Sequence, residues 1–303
     1  MKIRNLCLLQ VAILIFFCCT VYANPNAGFF LPDSVQEMKL KFRTIKNLII
    51  LPVVINDSIK VNLILDTGCR NLVLFGKRFQ KLLKINPGKE VIFSGLGSGN
   101  AVSGKLSLGN KVGLETIQGT GLPIVIVNDK NVFGTYNDIH GIIGYDIFLK
   151  FEIEINPRVQ VITFRPALRA TPRHDYAQIP LQIVDSRPLM QSSVAFSSGQ
   201  NTSCDLMIDT GSSLGLLLKT TDTESFDHDS KEVLVGRGLN GPLYAYQTIV
   251  EKLSLPGFSF DDIETDIVKS EWHNYASIGM EILKDYILVL NYCKAYACLK
   301  KIV

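Results

Sequence analysis

Two Asp-Thr-Gly triplets, Asp66-Thr67-Gly68 and Asp209-Thr210-Gly211, are the residues of this chain whose types and spacing can do chemistry. Two carboxylates held a few ångström apart cannot both ionise easily, so they share one proton. The ionised partner can take a proton from a trapped water, and the protonated partner can donate to a carbonyl oxygen. Thr67 and Thr210 bring hydroxyls that can bond across an axis between the triplets. Gly68 and Gly211 permit close backbone approach and leave amide N–H groups facing the carboxylates. Such chemistry calls for no metal, nucleotide or other cofactor, and Asp66 and Asp209 are its catalytic candidates. Ser212, after the second triplet, joins the supporting set.

The elements that must position these residues form an internal repeat. Val61–Leu65 and Cys204–Ile208 are apolar, strand-like runs ending at the two aspartates, and Leu72–Phe75 and Leu214–Leu218 follow them. A glycine-rich tip comes next in each half: Ser94–Gly99, with Gly95, Leu96 and Gly97, and Gly236–Gly241, with Gly236, Arg237, Gly238 and Leu239. An apolar-Gly signal with a short helix-like stretch follows (Gly141–Leu149 and Ser277–Leu283), then a closing hairpin. Further strands are expected at Leu48–Ile55, Ile59–Leu65, Pro123–Val127 and Ile179–Val184, and helical periodicity is weak outside Lys77–Lys84 and the stretches after Gly144 and Gly279. The expected fold is all-β: two tandem barrel-like lobes related by a pseudo-twofold axis, with few short helices. The lobes are expected at 24–165 and 181–303, joined by a proline-bearing linker at 166–180.

The 303 residues are 47% apolar and 19% charged, a globular composition. Lys2 and Arg4, the apolar run Leu6–Cys19 and Val21-Tyr22-Ala23 read as a signal peptide over 1–23, cleaved before Asn24. Export to a periplasmic or extracellular space is therefore expected, with membrane attachment only if that segment is retained. The net charge of +3 falls to near neutrality without the leader, so neither nucleic acid nor an anionic membrane is indicated as a partner. Residues 24–42 leave open whether an inhibitory prosegment covers the cleft.

The triplets, with Ile142-Ile143-Gly144 and Ile278-Gly279, resemble the paired motifs of pepsin- and retropepsin-type aspartic proteases. The nearest likeness is to exported bacterial retropepsin-like aspartyl proteases with two such lobes, over roughly residues 40 to 300. This resemblance implies an aspartic endopeptidase that hydrolyses peptide bonds through Asp66 and Asp209. The glycine-rich tips become flaps over a peptide or protein substrate in extended conformation. It also implies a monomer that contains its own pseudo-dimer. One departure is Cys69, where small residues such as Ser or Ala are usual; a thiol is a weaker donor than a hydroxyl, and the two aspartates would then sit in unequal surroundings. A reading from another class is a non-catalytic peptide-binding module that keeps the fold.

Other features compete less well. Gly236-x-Gly238-x-x-Gly241 spells a dinucleotide fingerprint, but Pro242–Tyr246 reads as a strand where that motif needs a helix. His140, His174, His228 and His273 lack metal spacing. Beside Asp66, Cys69 reads as a structural or redox-sensitive thiol rather than a nucleophile. Cys293 and Cys298 flank a turn and are candidates for a disulfide across the last hairpin.

Overall fold

Residues 27–93, 97–129, 132–133, 136–220, 231–270 and 275–302 are described by a computed structural model. The expected signal peptide, and Gly95 and Leu96 of the first tip, lie outside the described residues. So do His228 and His273.

In chain order the first half contains β1 (Gly28–Phe30), β2 (Met38–Lys41), β3 (Arg43–Ile45), β4 (Leu48–Ile55), β5 (Ile59–Leu65), β6 (Leu72–Phe75), α1 (Arg78–Leu82), β7 (Ile85–Phe93), β8 (Val102–Leu114), β9 (Ile117–Val127), β10 (Gly141–Ile143), α2 (Tyr145–Phe148), β11 (Phe151–Asn156) and β12 (Val161–Pro166). The second contains β13 (Ala177–Pro180), β14 (Gln182–Val184), β15 (Arg187–Ala195), β16 (Asn201–Ile208), β17 (Leu216–Thr220), β18 (Val233–Gly238), β19 (Gly241–Leu255), β20 (Phe258–Lys269), β21 (Ala276–Ile278), α3 (Met280–Leu283), β22 (Tyr286–Asn291) and β23 (Tyr296–Lys301). The fold is all-β with short helices, as expected. No helix among the described residues is long and apolar enough to cross a membrane.

Two local devices recur. Two-residue turns with both residues at positive φ join β3 to β4 (Lys46, 47°; Asn47, 66°) and β14 to β15 (Asp185, 47°; Ser186, 70°). That conformation matches the right-handed twist of the flanking strands and fixes their register. A short strand is also inserted beside each triplet. β10 lies parallel to β5 and antiparallel to β6, while β21 lies parallel to β16 and antiparallel to β17. β6 is buried along its whole length (Leu72, Val73, Leu74 and Phe75), which is why its sequence does not alternate.

Strands from both halves share a third sheet, ordered β13-β23-β22-β11-β12-β2. β11 meets β22 there, with Ile153 opposite Leu290 and Ile155 opposite Leu288. An apolar core containing Phe148, Phe151, Phe164, Ile208 and Leu290 is therefore continuous through the molecule. The last residues of the expected linker are strand, not linker: Ala177–Pro180 pairs with β23. Leu181 then interrupts the expected strand Ile179–Val184, giving β13 and β14. Residues 28–30 and 38–41, which fall in the stretch considered as a prosegment, are built into sheets against β9 and β12.

Candidate active site

Each aspartate sits at the end of its strand, where the inserted strand takes over the ladder. The Asp66 N–H donates to Ile143 O and the Asp209 N–H to Ile278 O, both at 2.9 Å. The apolar-Gly signals support the triplet loops from behind. Tyr145 N–H donates to Cys69 O (2.9 Å), and Met280 N–H donates to Ser212 O (2.8 Å). A side chain at Gly144 would drive its Cβ into the Cys69 carbonyl, and one at Gly279 into the Leu214 carbonyl. Glycine is needed at both places for this close approach, not for an unusual φ.

Between the loops, the threonines exchange hydrogen bonds in both directions. Thr67 N–H donates to Thr210 Oγ1 (3.1 Å), and Thr210 N–H donates to Thr67 Oγ1 (3.0 Å). Each hydroxyl in turn donates to a carbonyl of the opposite strand: Thr67 Oγ1 to Ile208 O (2.6 Å) and Thr210 Oγ1 to Leu65 O (2.9 Å). Both threonines are fully buried, so these four bonds satisfy groups that water cannot reach. Tyr292, stacked on Phe148, donates its hydroxyl to Thr67 O at 3.2 Å.

The exchange brings the carboxyls together. The Asp66 carboxyl lies against Gly211 of the other triplet, so close that a Cβ there would overlap its Cγ. Gly68 N–H donates to Asp66 Oδ1 (2.6 Å), and Gly211 N–H donates to Asp209 Oδ1 (3.0 Å). Burial pushes both acids up. Asp209 is raised to about 7 by burial and then by the charge of Asp66. Asp66 is raised by burial, opposed by the N–H groups of Gly68 and Cys69 and by Arg187. Each carboxyl accepts one backbone N–H hydrogen bond, from the glycine of its own triplet.

Cys69 itself points away from this exchange. Its thiol donates to Asn71 O (3.0 Å), whereas the Ser212 hydroxyl accepts from Leu214 N–H (3.2 Å). Burial and the neighbouring Asp66 charge push the Cys69 thiol well above its ordinary value, so it stays protonated and is no nucleophile.

The second glycine-rich tip is a hairpin. Gly236, Arg237 and Gly238 lie on β18, Leu239 and Asn240 turn, and β19 returns as a strand where a nucleotide motif would need a helix. This tip meets the first. Asn240 Nδ2 donates to Gly97 O (2.8 Å) and Gly99 O (3.0 Å), Gly97 N–H donates to Asn240 Oδ1 (2.7 Å), and Ser98 N–H donates to Pro242 O (2.9 Å). Leu239 packs on an apolar cluster of the first half that includes Ile50, Cys69, Val73 and Phe75. Asn240 and Tyr292 escaped the sequence reading because nothing local marks a side chain whose partner lies far along the chain.

The candidate Cys293–Cys298 disulfide is not formed. In the ladder Cys298 stands opposite Val289 and is buried, while Cys293 is exposed in the turn with its thiol donating to Leu149 O (2.8 Å). The four cysteines among the described residues, Cys69 and Cys204 included, are free thiols. No group of three His, Cys, Asp or Glu among the described residues is placed to hold a metal ion.

An all-β chain with an Asp-Thr-Gly loop closed by an inserted apolar-Gly strand has the fold of an aspartyl protease. The family model described as aspartyl protease matches residues 51–147, so over that segment the chain is similar to aspartyl proteases. Asp66 lies inside the matched segment and Asp209 beyond it. No curated protein matches the chain.

Proposed function

We propose that the protein is an aspartic endopeptidase in which Asp66 and Asp209 act as one dyad. The observation that carries this reading is the reciprocal exchange between Thr67 and Thr210, which fixes the two loops face to face with one carboxyl against the other loop's glycine. The dyad shares a proton, because burial raises both acids and the charge of Asp66 raises Asp209 further. A water between the carboxyls gives its proton to the ionised partner and attacks the scissile carbonyl carbon. The protonated partner donates to the carbonyl oxygen. Collapse of the tetrahedral species, with proton transfer to the departing amine, returns the dyad to its starting state. As a pair it titrates through joint steps rather than as two separate acids.

In this reading the two lobes are related by a pseudo-twofold axis through the threonine exchange. The chain acts as a monomer and needs no cofactor, nucleotide or nucleic acid. The substrate is an extended peptide or protein segment held under the two tips, whose contacts through Asn240 must open to admit it. The N-terminal leader directs the chain to the periplasm or the extracellular space. A non-catalytic peptide-binding module is the alternative, and retention of both aspartates speaks against it.

The test is incubation of the chain from Asn24 onward with a random peptide library between acid and neutral pH, read by mass spectrometry beside a double Asp66→Asn, Asp209→Asn variant. New peptide termini with the wild type alone are expected. Binding of peptides without cleavage would leave the binding module as the answer.

A further inference from the structure

Resting on the protease reading above, we propose that Arg187, Lys219 and Tyr275 form a cationic specificity pocket in the second lobe. It selects an acidic side chain of the peptide on one side of the scissile bond, and the first lobe offers an apolar surface on the other.

The argument begins with register. Leu48 opens β4 after the Lys46-Asn47 turn, and Arg187 opens β15 after the Asp185-Ser186 turn. Two residues on, Ile50 pairs with Ile64 and Leu189 with Met207; Ile64 and Met207 each stand two residues before their aspartate. Leu48 and Arg187 therefore hold the same place in their halves. Val73 pairs with Ile142 and Leu217 with Ser277, each partner two residues before the supporting glycine. Phe75 and Lys219 follow two residues later on the same faces and correspond in turn.

In the first half these places are apolar. Leu48 and Phe75 belong with Ile50, Val73 and Ile142 to the cluster that receives Leu239 from the second tip. In the second half the same places hold two cations gathered on one ring. Lys219 Nζ lies 4.1 Å from the centre of the Tyr275 ring, and Arg187 Cζ lies 5.9 Å from it. Ring faces attract cations, which holds the two side chains in place without neutralising them. Neither takes part in an ion pair among the described residues. Asp185 offers Arg187 its backbone carbonyl, at 3.5 Å.

Both cations lie within electrostatic reach of the dyad. Arg187 lowers the affinity of both aspartates for protons, and Lys219 that of Asp209. Burial brings Lys219 down to about 8, which leaves it mostly protonated at neutral pH and below. A dyad sharing one proton supplies a single negative charge against these two positive ones. Partly desolvated like charges are unfavourable together unless an anion joins them. A substrate carboxylate is that anion, and the Lys219 ammonium and Arg187 guanidinium give it charge-assisted hydrogen bonds.

The experiment uses peptide pairs that differ only by Glu or Gln at each position around the cleaved bond, assayed near pH 6, where glutamate is ionised. Because one dyad cleaves both members of a pair, any general change in dyad activity cancels in the ratio of their kcat/KM values. The Glu peptide is expected to lead by about tenfold at one position, a typical effect of one charge-assisted hydrogen bond. Lys219→Met and Arg187→Met should each bring that ratio towards one, and Lys219→Glu should invert it. A wild-type ratio near one at every position, or a ratio that Lys219→Met leaves intact, overturns the pocket while leaving the protease standing. If no peptide is cleaved, the protease reading fails instead and peptide binding decides the pocket. Tighter binding of Glu than Gln peptides, lost in Lys219→Met, supports it, and equal binding overturns it.

Discussion

Thr67 and Thr210 each accept the other's amide proton, at 3.1 and 3.0 Å, across 143 residues of chain. Every donor and acceptor in the exchange is buried, so no water can replace a lost partner. Thr67→Val and Thr210→Val keep the shape but leave the opposing amide unpaired. Each should lower unfolding stability by about 1–3 kcal/mol in urea titrations, the usual penalty for a stranded buried polar group. Thr67→Ser and Thr210→Ser retain the hydroxyl and should lose much less. Equal losses for Val and Ser would assign the effect to the methyl group rather than the bonds.

The supporting glycines make a sharper structural prediction. A Cβ at Gly144 or Gly279 would strike backbone carbonyls, which cannot rotate away. Gly144→Ala and Gly279→Ala should each cost about 1–3 kcal/mol or more, measured by thermal or urea unfolding. Gly236→Ala is the control: nothing lies within 4 Å of a Cβ there, and its melting temperature should stay near that of the wild type.

The acid shifts set a pH dependence. Burial and the charge of Asp66 raise Asp209 to about 7 within the coupled pair of the folded chain, against an ordinary value of 3.8. Between those values the folded chain holds a proton that the unfolded chain has released, so stability falls as pH rises through the window. Below 3.8 both states are protonated and the penalty is absent; above about 7 it is complete. Asp209→Asn cannot ionise. Its melting temperature should exceed that of the wild type at pH 8, with the gap closing towards pH 4. A gap independent of pH would show that the pair ionises normally in the folded state.

Thiol chemistry checks the hairpin. Cys293 is exposed, whereas Cys69 and Cys298 are buried. A thiol reagent should modify Cys293 fastest in the native chain, and Cys293→Ser should remove that fast phase. A missing fast phase, with a mass lower by two hydrogens, would mean that the Cys293–Cys298 bridge forms after all.

Much of this was legible in the sequence because the informative signals are local. Leu48–Ile55 and Ile59–Leu65 were expected as strands and are β4 and β5. The helix expected at Lys77–Lys84 appears as the shorter α1, and the second glycine-rich tip is the hairpin foreseen. What stayed hidden depends on partners distant in the chain. Asn240 becomes a bridge only because Gly97 and Gly99 lie against it, and Tyr292 acquires its role from a carbonyl 225 residues away. Arg187 and Lys219 look like ordinary surface cations until strand register gives them the places that Leu48 and Phe75 hold in the first half. The sharing of β11 and β22 in one sheet was equally invisible, since pairing between halves leaves no mark in either strand's own pattern.

The central claim is that Asp66 and Asp209 act as a unit, and steady-state rates on one cleaved peptide test it most directly. Asp66→Asn and Asp209→Asn should each lower kcat by about 10²–10⁴-fold, the usual scale of general acid–base catalysis, with unchanged circular dichroism. The double variant should be no worse than the poorer single variant, because removing one member already disables the pair. Full activity in either single variant, or losses that multiply in the double, would contradict the dyad.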